Sequence, residues 1–476
     1  MLSRIPHVFA LLTFIVLAVS ALTYVVPSGR YERRVQRVEG HDRTVLAPGT
    51  YETLPKHFSV AGLLTGDSVE GKATPIGALS FLTAIPRGLI ASADIIFFLF
   101  VIGGTFGILQ ATGTIHAVIH WLLDRFGHQA AFLSTVIMVL LGVGGSTLGM
   151  SEEFIPLVPV FMLVAARLGY DRIYGLALVA IGSLVGFAAA TTNPFTILIA
   201  QGIAELEPAS GAGLRVVFFL VTMSIAVAYV LRYGAKVRLN PSLSLTADLP
   251  LEPAQDKQHS ADLTIRHVAI VAASAALFAG ILAGIQWLGW WIEEMAGGFL
   301  LMGCVAAAIG GLSINTTCEH AVVGMKDMVV AALVVGFARG IEVVANDALV
   351  LDTLIYGAAS VLRSVPAFVA VQGMLLFQTL LNFFIPSGSG QAAVTMPLMA
   401  PLADVLGITR QTAVFAFQCG DGFSNLVLPT SGFLMACLGL AGVPYDRWLR
   451  FMAPLLGLLL AVSAVFLTVA VGIGYA

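Results

Sequence analysis

Three carboxylates, Glu152, Glu153 and Asp421, lie in segments that are otherwise apolar or built from small residues. An unpaired carboxylate inside a membrane is costly, so each calls for a partner: a proton, a metal cation, or the ammonium or guanidinium group of a substrate. A structural role is open for the glutamates as well, because Ser151 precedes them and acids suit the first turn of a serine-capped helix. Hydroxyl and amide side chains stand in the same segments, at Ser146, Thr147, Thr192, Asn193, Ser387, Ser389, Gln391, Ser424 and Asn425. Hydroxyls, amide oxygens and freed backbone carbonyls are hard neutral donors suited to sodium, and the N-termini of half-helices offer N–H groups to a carboxylate. Together these residues form a candidate site for a small-molecule substrate and a coupling ion, with sodium, a proton or solute exchange all open. Gln391 has an equally good alternative, a hydrogen bond within its own segment.

The elements that position them must lie in a bilayer. Of 476 residues, 58% are hydrophobic and 11% charged, against roughly 25% charged in a soluble domain. The 24 Lys and Arg and 27 Asp and Glu are too few to cover a water-soluble surface of this size. A net charge of −3 without a basic tract removes nucleic acid as a partner. Cys304, Cys318, Cys419 and Cys437 show no CxxC or zinc spacing and read as packing residues.

Segment lengths and punctuation give an all-α polytopic layout. A first transmembrane helix occupies 1–27, its apolar run at 8–26 lacking the small-residue pattern of a cleavage site. Residues 28–75 form the most polar stretch, expected as an ordered loop with a short hairpin, and lie within an extracytoplasmic loop and amphipathic helix spanning 28–92. Including the first helix, nine crossings are expected, the others at 94–110, 173–204, 214–233, 268–288, 295–312, 328–345, 410–440 and 449–475; those at 173–204 and 410–440 are broken. Two further segments, 129–168 and 366–406, carry Gly144-Gly145-Ser146-Thr147-Leu148-Gly149 and Pro386-Ser387-Gly388-Ser389-Gly390 near their centres and read as re-entrant hairpins. Non-helical backbone in hydrocarbon leaves amides and carbonyls unpaired at several kcal/mol each, so such breaks are expected only where they line a cavity.

Internal repetition organises the layout. A shift of 233 lays Val101-Ile102-Gly103-Gly104-Thr105-Phe106-Gly107-Ile108 over Val334-Val335-Gly336-Phe337-Ala338-Arg339-Gly340-Ile341. A shift of 241 lays Ser146, Gly149, Pro156 and Leu157 over Ser387, Gly390, Pro397 and Leu398, and a shift of 232 lays Thr192-Asn193 over Ser424-Asn425. The expected units are a first repeat at 93–233, a cytoplasmic linker at 234–265, two linking transmembrane helices at 266–313 and a second repeat at 314–476. With a cytoplasmic N-terminus the repeats run in opposite directions. The inside segments then hold Arg4, Arg125, Arg167, Arg172, Arg232, Lys236, Arg238, Lys257, Arg266, Lys326, Arg447 and Arg450, and the outside ones Arg215, Arg363 and Arg410; the basic stretch 28–87 argues the other way. Inverted repeats with broken helices are the architecture of secondary transporters. No Walker A motif or selectivity-filter pattern is present, and no Ser/His or metal-ligand set accompanies the acids, which sets an ATP-driven pump, a channel and an enzyme aside.

Arg4-Ile5-Pro6-His7, Tyr24-Val25-Val26-Pro27-Ser28-Gly29, Gly149-Met150-Ser151-Glu152-Glu153, Thr191-Thr192-Asn193-Pro194-Phe195 and Ile385-Pro386-Ser387-Gly388-Ser389-Gly390-Gln391-Ala392 together resemble the YfcC branch of the DcuC-like transporters, within the ion-transporter superfamily. The resemblance implies an elevator-type transporter of the bacterial cytoplasmic membrane, with a scaffold that makes a homodimer and a transport domain of two hairpins and two broken helices. In better-known members Ser-Asn-Thr motifs at these places bind sodium and a substrate carboxylate. Here the literal motif is replaced by Thr191-Thr192-Asn193-Pro194 and Ser424-Asn425-Leu426. The branch has been associated with four-carbon dicarboxylates, arginine/ornithine exchange and other amino or organic acids. No cofactor is implied beyond a coupling ion.

Other polar residues read as structure. Arg339 and Glu342, three apart on one helix face, are expected to pair away from the substrate. His116 and His120 have the i, i+4 spacing of metal ligands without a third in view. Asn346, Asp347 and Asp352 read as solvated helix ends, and Trp287, Trp290 and Trp291 as interfacial anchors. Asn193 and Asn425, one at each break, are expected near each other and near the substrate.

Overall fold

The computed structural model describes residues 8–38, 41–67, 69–249, 251 and 263–476. The Arg4-Ile5-Pro6-His7 motif, the opening of the 1–27 segment and the part of the 234–265 linker that holds Lys257 lie outside the described residues.

Helix α1 (Val8–Leu22) leads into four strands, β1 (Ser28–Arg30), β2 (Arg33–Val38), β3 (His41–Leu46) and β4 (Glu52–Leu54), and a single helical turn, α2 (Val60–Leu64). Then come α3 (Ala78–Ala91), α4 (Ala93–Ala111), α5 (Thr114–Phe126), α6 (Ala130–Leu148), α7 (Val158–Arg167), α8 (Arg172–Ala188), α9 (Ile197–Ile203) and α10 (Ala212–Leu239). After α11 (Ile265–Leu288) and α12 (Ile292–Gly310) the chain runs through α13 (Ile314–Asp327), α14 (Val329–Asp347), α15 (Leu351–Leu362), α16 (Ala367–Leu381), α17 (Gly388–Leu406), α18 (Arg410–Ser424), α19 (Gly432–Ala441) and α20 (Tyr445–Ile473). Among the described residues seven helical stretches are long and apolar enough to cross a membrane. Six of the nine expected crossings are among them; the other three are not, because each broken crossing divides into two short helices and α1 has only 15 described helical residues, and the seventh stretch, Thr114–Leu148, takes in the first arm of the expected hairpin 129–168. Outward-facing Phe14, Leu220, Leu301, Leu376 and Val465 are each about half exposed or more, as lipid-facing residues are.

The all-α expectation meets its exception in the polar stretch. Strand β2 pairs antiparallel with β3 from Arg33↔Leu46 to Val38↔His41, and β1 pairs with β4, extending the same ribbon. The ribbon docks on the end of α14 and the start of α15: Gly29 N–H donates to the Leu349 carbonyl (2.9 Å) and Tyr51 stacks on Tyr356 at 4.0 Å. Asp352 is therefore not a solvated helix end. It is 4% exposed, accepts from the Tyr31 N–H at 2.8 Å and holds the Arg33 guanidinium through two hydrogen bonds. A strand hairpin satisfies its own backbone outside hydrocarbon, which a polar, β-branched-rich stretch can do and an apolar one within the bilayer cannot do with an open edge.

Two packing relations repeat. Helix α13, which precedes α4's counterpart α14, packs on α4, and α3, which precedes α4, packs on α14. The GxxxG pairs of the sequence repeat make both seats. Gly103 and Gly107 of α4 meet the Gly324 backbone of α13, and Gly336 and Gly340 of α14 meet Gly88, Leu89 and Ala84 of α3. Small residues let helix backbones approach where no hydrophobic driving force is available. In the same way α6 and α7 pack along α8 while α16 and α17 pack along α18, and α10 and α20 close the two groups. Helix α8 is buried along nearly its whole length, as is α18, and the two touch each other at the centre of the molecule.

The Gly107→Val protein is expected to lose about 1–3 kcal/mol of stability, because a Cβ there lies 2.9 Å from the Gly324 Cα and closer still to the His320 carbonyl. The Gly280→Ala protein is expected to be neutral or slightly stabilised, because no atom lies within 4 Å of that Cβ. Thermal unfolding in one detergent compares them directly.

Candidate functional site

Four interruptions in the helices meet around one cavity. The first separates α6 from α7. Although Gly144-Gly145-Ser146-Thr147-Leu148 was expected to be non-helical, the helix continues to Leu148 and ends at Gly149, whose φ of 70° is the left-handed conformation glycine adopts freely. Gly142, Gly145 and Gly186 sit in close contact between α6 and α8, an approach that helical geometry suits. The residues after it, Glu152–Leu157, form a 3₁₀ turn.

At that turn Ser151 does not cap as expected. Its side chain makes no cap bond; instead its N–H donates to the Glu153 carboxylate at 2.9 Å, and its hydroxyl donates to Glu152. Glu153 is 9% exposed and Glu152 half-buried.

The break between α8 and α9 is set by Thr191-Thr192-Asn193-Pro194, since proline lacks an N–H and restricts the residue before it. Ser146 closes it from α6. Its hydroxyl donates to the Ala189 carbonyl at 2.9 Å, and its own carbonyl accepts from the N–H groups of Thr191 (2.9 Å) and Thr192 (3.2 Å). The Thr192 hydroxyl donates to the Thr147 carbonyl at 3.1 Å. Asn193 is fully buried; its Oδ1 accepts from the Phe195 N–H at 2.8 Å and its Nδ2 has no partner.

The break between α18 and α19 is stitched from α16 by Asn382. Its amide donates to the Asp421 carbonyl (2.8 Å), the Ser424 hydroxyl (2.7 Å) and Asn425 Oδ1 (3.1 Å). Ser387, at the fourth interruption, N-caps α17 by accepting from the Gly390 N–H at 3.3 Å. Gln391 takes the alternative open to it: its amide donates to Gln378 Oε1 at 2.7 Å inside its own helix pair.

The cavity measures about 350 Å³, a size that suits a small organic molecule. Of the residues proposed from sequence, Glu152, Glu153, Ser387, Ser389 and Asn425 line it. Asp421 lies just beneath: a Cβ on Gly388 would sit 3.1 Å from Asp421 Oδ2 and against the Thr196 methyl. Both Asp421 carboxylate oxygens and the Thr196 hydroxyl are buried without a hydrogen-bond partner. Ser146, Thr147, Thr192, Asn193, Gln391 and Ser424 do not line the cavity; they bind the backbone or side chains around it. Asn193 lies against Gly149 on the α6 side while Asn425 is held by Asn382 on the α16 side, so the two asparagines serve different interruptions.

Sequence reasoning missed part of the wall. Asp94 at the start of α4, Thr196, Thr430, Ser431, Trp291 and Arg339 all line the cavity. Arg339 does pair with Glu342 at 2.7 Å, as its spacing suggests, yet it also faces the cavity and is the one Lys or Arg among the lining residues. Trp291, expected as an interfacial anchor, packs tilted against Phe195 with ring centroids 4.8 Å apart, and the Arg43 guanidinium of the strand ribbon lies 5.5 Å from its ring centroid. The repeat itself was the available signal for Arg339, since it falls inside the α14 copy of the GxxxG motif. His120, considered for metal, pairs with Asp124 at 2.9 Å.

Comparisons with known proteins agree on one family. The family model described as C4-dicarboxylate anaerobic carrier, DcuC, matches residues 5–472. YfcC of Escherichia coli (strain K12), provisionally described as a basic amino acid antiporter, is 35% identical over 495 residues, covering 99% of this chain and 97% of that protein. An uncharacterized protein of Haemophilus influenzae is 28% identical, covering 98% and 97%. Among solved structures, the Alcanivorax borkumensis YdaH transporter has a TM-score of 0.44 at 17% identity, covering 99% of each chain. Neisseria gonorrhoeae MtrF, described within a class of antimetabolite efflux pumps, has a TM-score of 0.44 at 18% identity, covering 98% and 96%. Similarity at that level carries no argument about this molecule. The match along nearly the whole sequence does: the chain belongs to the C4-dicarboxylate anaerobic carrier (DcuC) family and is a transport protein, not an enzyme.

Proposed function

We propose that this protein is a gradient-driven secondary transporter of the cytoplasmic membrane that carries amino acids, with a basic amino acid as the preferred substrate. One observation carries the reading. The cavity between the interruptions holds the carboxylates of Asp94, Glu152 and Glu153 against a single guanidinium, Arg339, that is itself paired with Glu342. Such a balance attracts a cationic side chain or an α-ammonium group. It repels a dicarboxylate, whatever the description of the family. One substrate carboxylate would be received by Arg339 and by the hydroxyls of Ser387 and Ser389 at the N-terminus of α17. The provisional description of YfcC points the same way. A small organic carboxylate is the second reading, supported by those hydroxyls and Arg339 alone.

Transport follows an elevator mechanism between inverted repeats, 93–233 and 314–476. The moving body comprises the hairpins 129–168 and 366–406 with the broken helices 173–204 and 410–440. The first helix (1–27), the extracytoplasmic segment 28–92, the linker 234–265 and the linking helices 266–313 complete the frame, which forms a homodimer with its N-terminus in the cytoplasm. The reciprocal seating of α3 on α14 and α13 on α4 supports the repeat. A coupling cation, sodium or a proton, sits at the Asp421 carboxylate beside Thr196, where buried oxygens lack partners.

In proteoliposomes loaded with ornithine, the wild-type protein is expected to take up arginine or lysine in preference to succinate or malate. Preferred uptake of the dicarboxylates removes the amino-acid reading. The Glu152→Gln and Glu153→Gln proteins are expected to bind the basic amino acid about 10- to 100-fold more weakly, matching the loss of a charged hydrogen bond. Unchanged affinity in both, with only lower thermal stability, would leave the glutamates as structural residues.

The Asp421→Asn protein is expected to retain substrate binding and lose the dependence of uptake on sodium or pH. A dependence equal to wild type places the coupling ion elsewhere.

A further inference from the structure

Arg215 is a fully buried guanidinium, 1% exposed, with no ion-pair partner among the described residues. Its partners are neutral. Nε and Nη2 donate to the Thr191 carbonyl at 3.1 and 2.9 Å, and Nη1 donates to the Ser210 carbonyl at 2.7 Å and the Tyr475 hydroxyl at 2.9 Å. A charge buried this way is retained only where the surrounding dipoles favour it. Thr191 follows the C-terminal end of the half-helix α8, the negative end of its dipole, where a cation is stabilised.

The other break supplies the comparison. Arg215 is the fourth residue of α10 and Trp448 the fourth of α20, 233 positions later, and both helices follow a broken crossing. Trp448 is also fully buried and also serves a break: its Nε1–H donates to the Leu426 carbonyl at 2.9 Å, and the Tyr445 hydroxyl donates to the Val427 carbonyl at 2.6 Å. The same position in the two halves thus sends a cation to the first break and a neutral donor to the second. The carboxylates are distributed in the opposite sense. A shift of 232 relates Asp421 to Ala189, and both backbone carbonyls accept from the preceding hairpin arm, from Asn382 and from Ser146 respectively. Among the described residues the carbonyls of the first break thus take an arginine and those of the second only neutral donors, while a buried carboxylate, Asp421, belongs to the second break's own segment.

We propose that Arg215 is a resident cation that fixes the first helix break, so that only the second break, at Asp421, takes an exchangeable cation and changes order when it binds. The second clause rests on the reading of Asp421 as the coupling-ion site. Arg215 is a positioning residue on this view. It holds Thr191 and, through Ser146, the α6 arm of the site, and the energetics of ion coupling fall on α17, α18 and the segment that follows.

Hydrogen–deuterium exchange of the full chain in nanodiscs tests both parts without requiring a substrate. In the wild-type protein, replacing choline chloride by sodium chloride, or lowering the pH, is expected to slow exchange at 425–431 and leave 189–193, the part of the first break away from Thr196, unchanged. A response at both breaks, or at neither, overturns the ion assignment. In the Arg215→Gln protein, exchange at 189–196 is expected to rise about tenfold or more, as for loss of charged hydrogen bonds. Millimolar guanidinium is expected to reverse it, and urea, of the same shape without the charge, to have no effect. Exchange like wild type, or equal reversal by urea, overturns the role of the charge. Should Arg215→Gln fail to fold, Arg215→Lys keeps the cation and is expected to stay within about threefold of wild type at 189–196; loss of protection there shows that charge alone does not hold the break. An absence of uptake by wild-type protein in liposomes would count against the transport reading and leave these exchange results legible.

Discussion

Peptide groups freed from a helix inside a membrane must find partners within the protein, and the centre of this molecule is arranged around that requirement. Each break is closed by side chains from two directions. Ser146 reaches the first break from α6 and Arg215 from α10; Asn382 reaches the second from α16, with Trp448 and Tyr445 from α20. Most of the conspicuous hydroxyl and amide residues are consumed by this closure. Of the residues singled out in the sequence, Glu152, Glu153, Ser387 and Ser389 stand at the wall and Asp421 lies beneath it beside the lining Thr196, where a ligand can reach them.

The wall opposite the breaks comes from a different part of the chain. Helices α4 and α14 contribute Asp94 and Arg339, and Trp291 immediately precedes α12. Their position depends on backbone approach, because α4 and α14 are themselves held by the small-residue seats for α13 and α3. A bulky residue in those seats would displace the wall as well as the arm. The strand ribbon adds a contact from outside: tied to α14 and α15 through Asp352, it also packs on α9 and α17 and places Arg43 over Trp291. One strand-forming segment thereby touches both the wall and two of the elements that flank the breaks.

Charge is distributed unevenly across this frame. The first half carries Glu152 and Glu153 at the cavity and Arg215 in its interior; the second carries Asp421 in its interior and Arg339 at the cavity. Elements related by a shift of about 233 residues thus share backbone roles and differ in charge. Backbone satisfaction is demanded equally of both halves by the bilayer, whereas a binding site needs its charges on particular sides.

The sequence by itself determined the membrane setting, most of the helical segments and the two places where long apolar segments break, because composition, apolar run length and Pro or Gly punctuation act locally along the chain. It also singled out Glu152, Glu153 and Asp421, since a carboxylate in an apolar segment is conspicuous without any neighbour. Which polar residues face the cavity was decided only by tertiary structure. Asn193 and Asn425 look equivalent in sequence, yet one lies buried against Gly149 and the other reaches the cavity. Arg339 looks like half of a structural pair away from the substrate until α14 is packed, and the burial of Arg215 shows only once α8, α10 and Tyr475 close around it. Helix ends and apolar runs depend on near neighbours in the chain. The partner of a polar group within a bilayer is set by chain segments tens to hundreds of residues away, and only the packed helices bring them together.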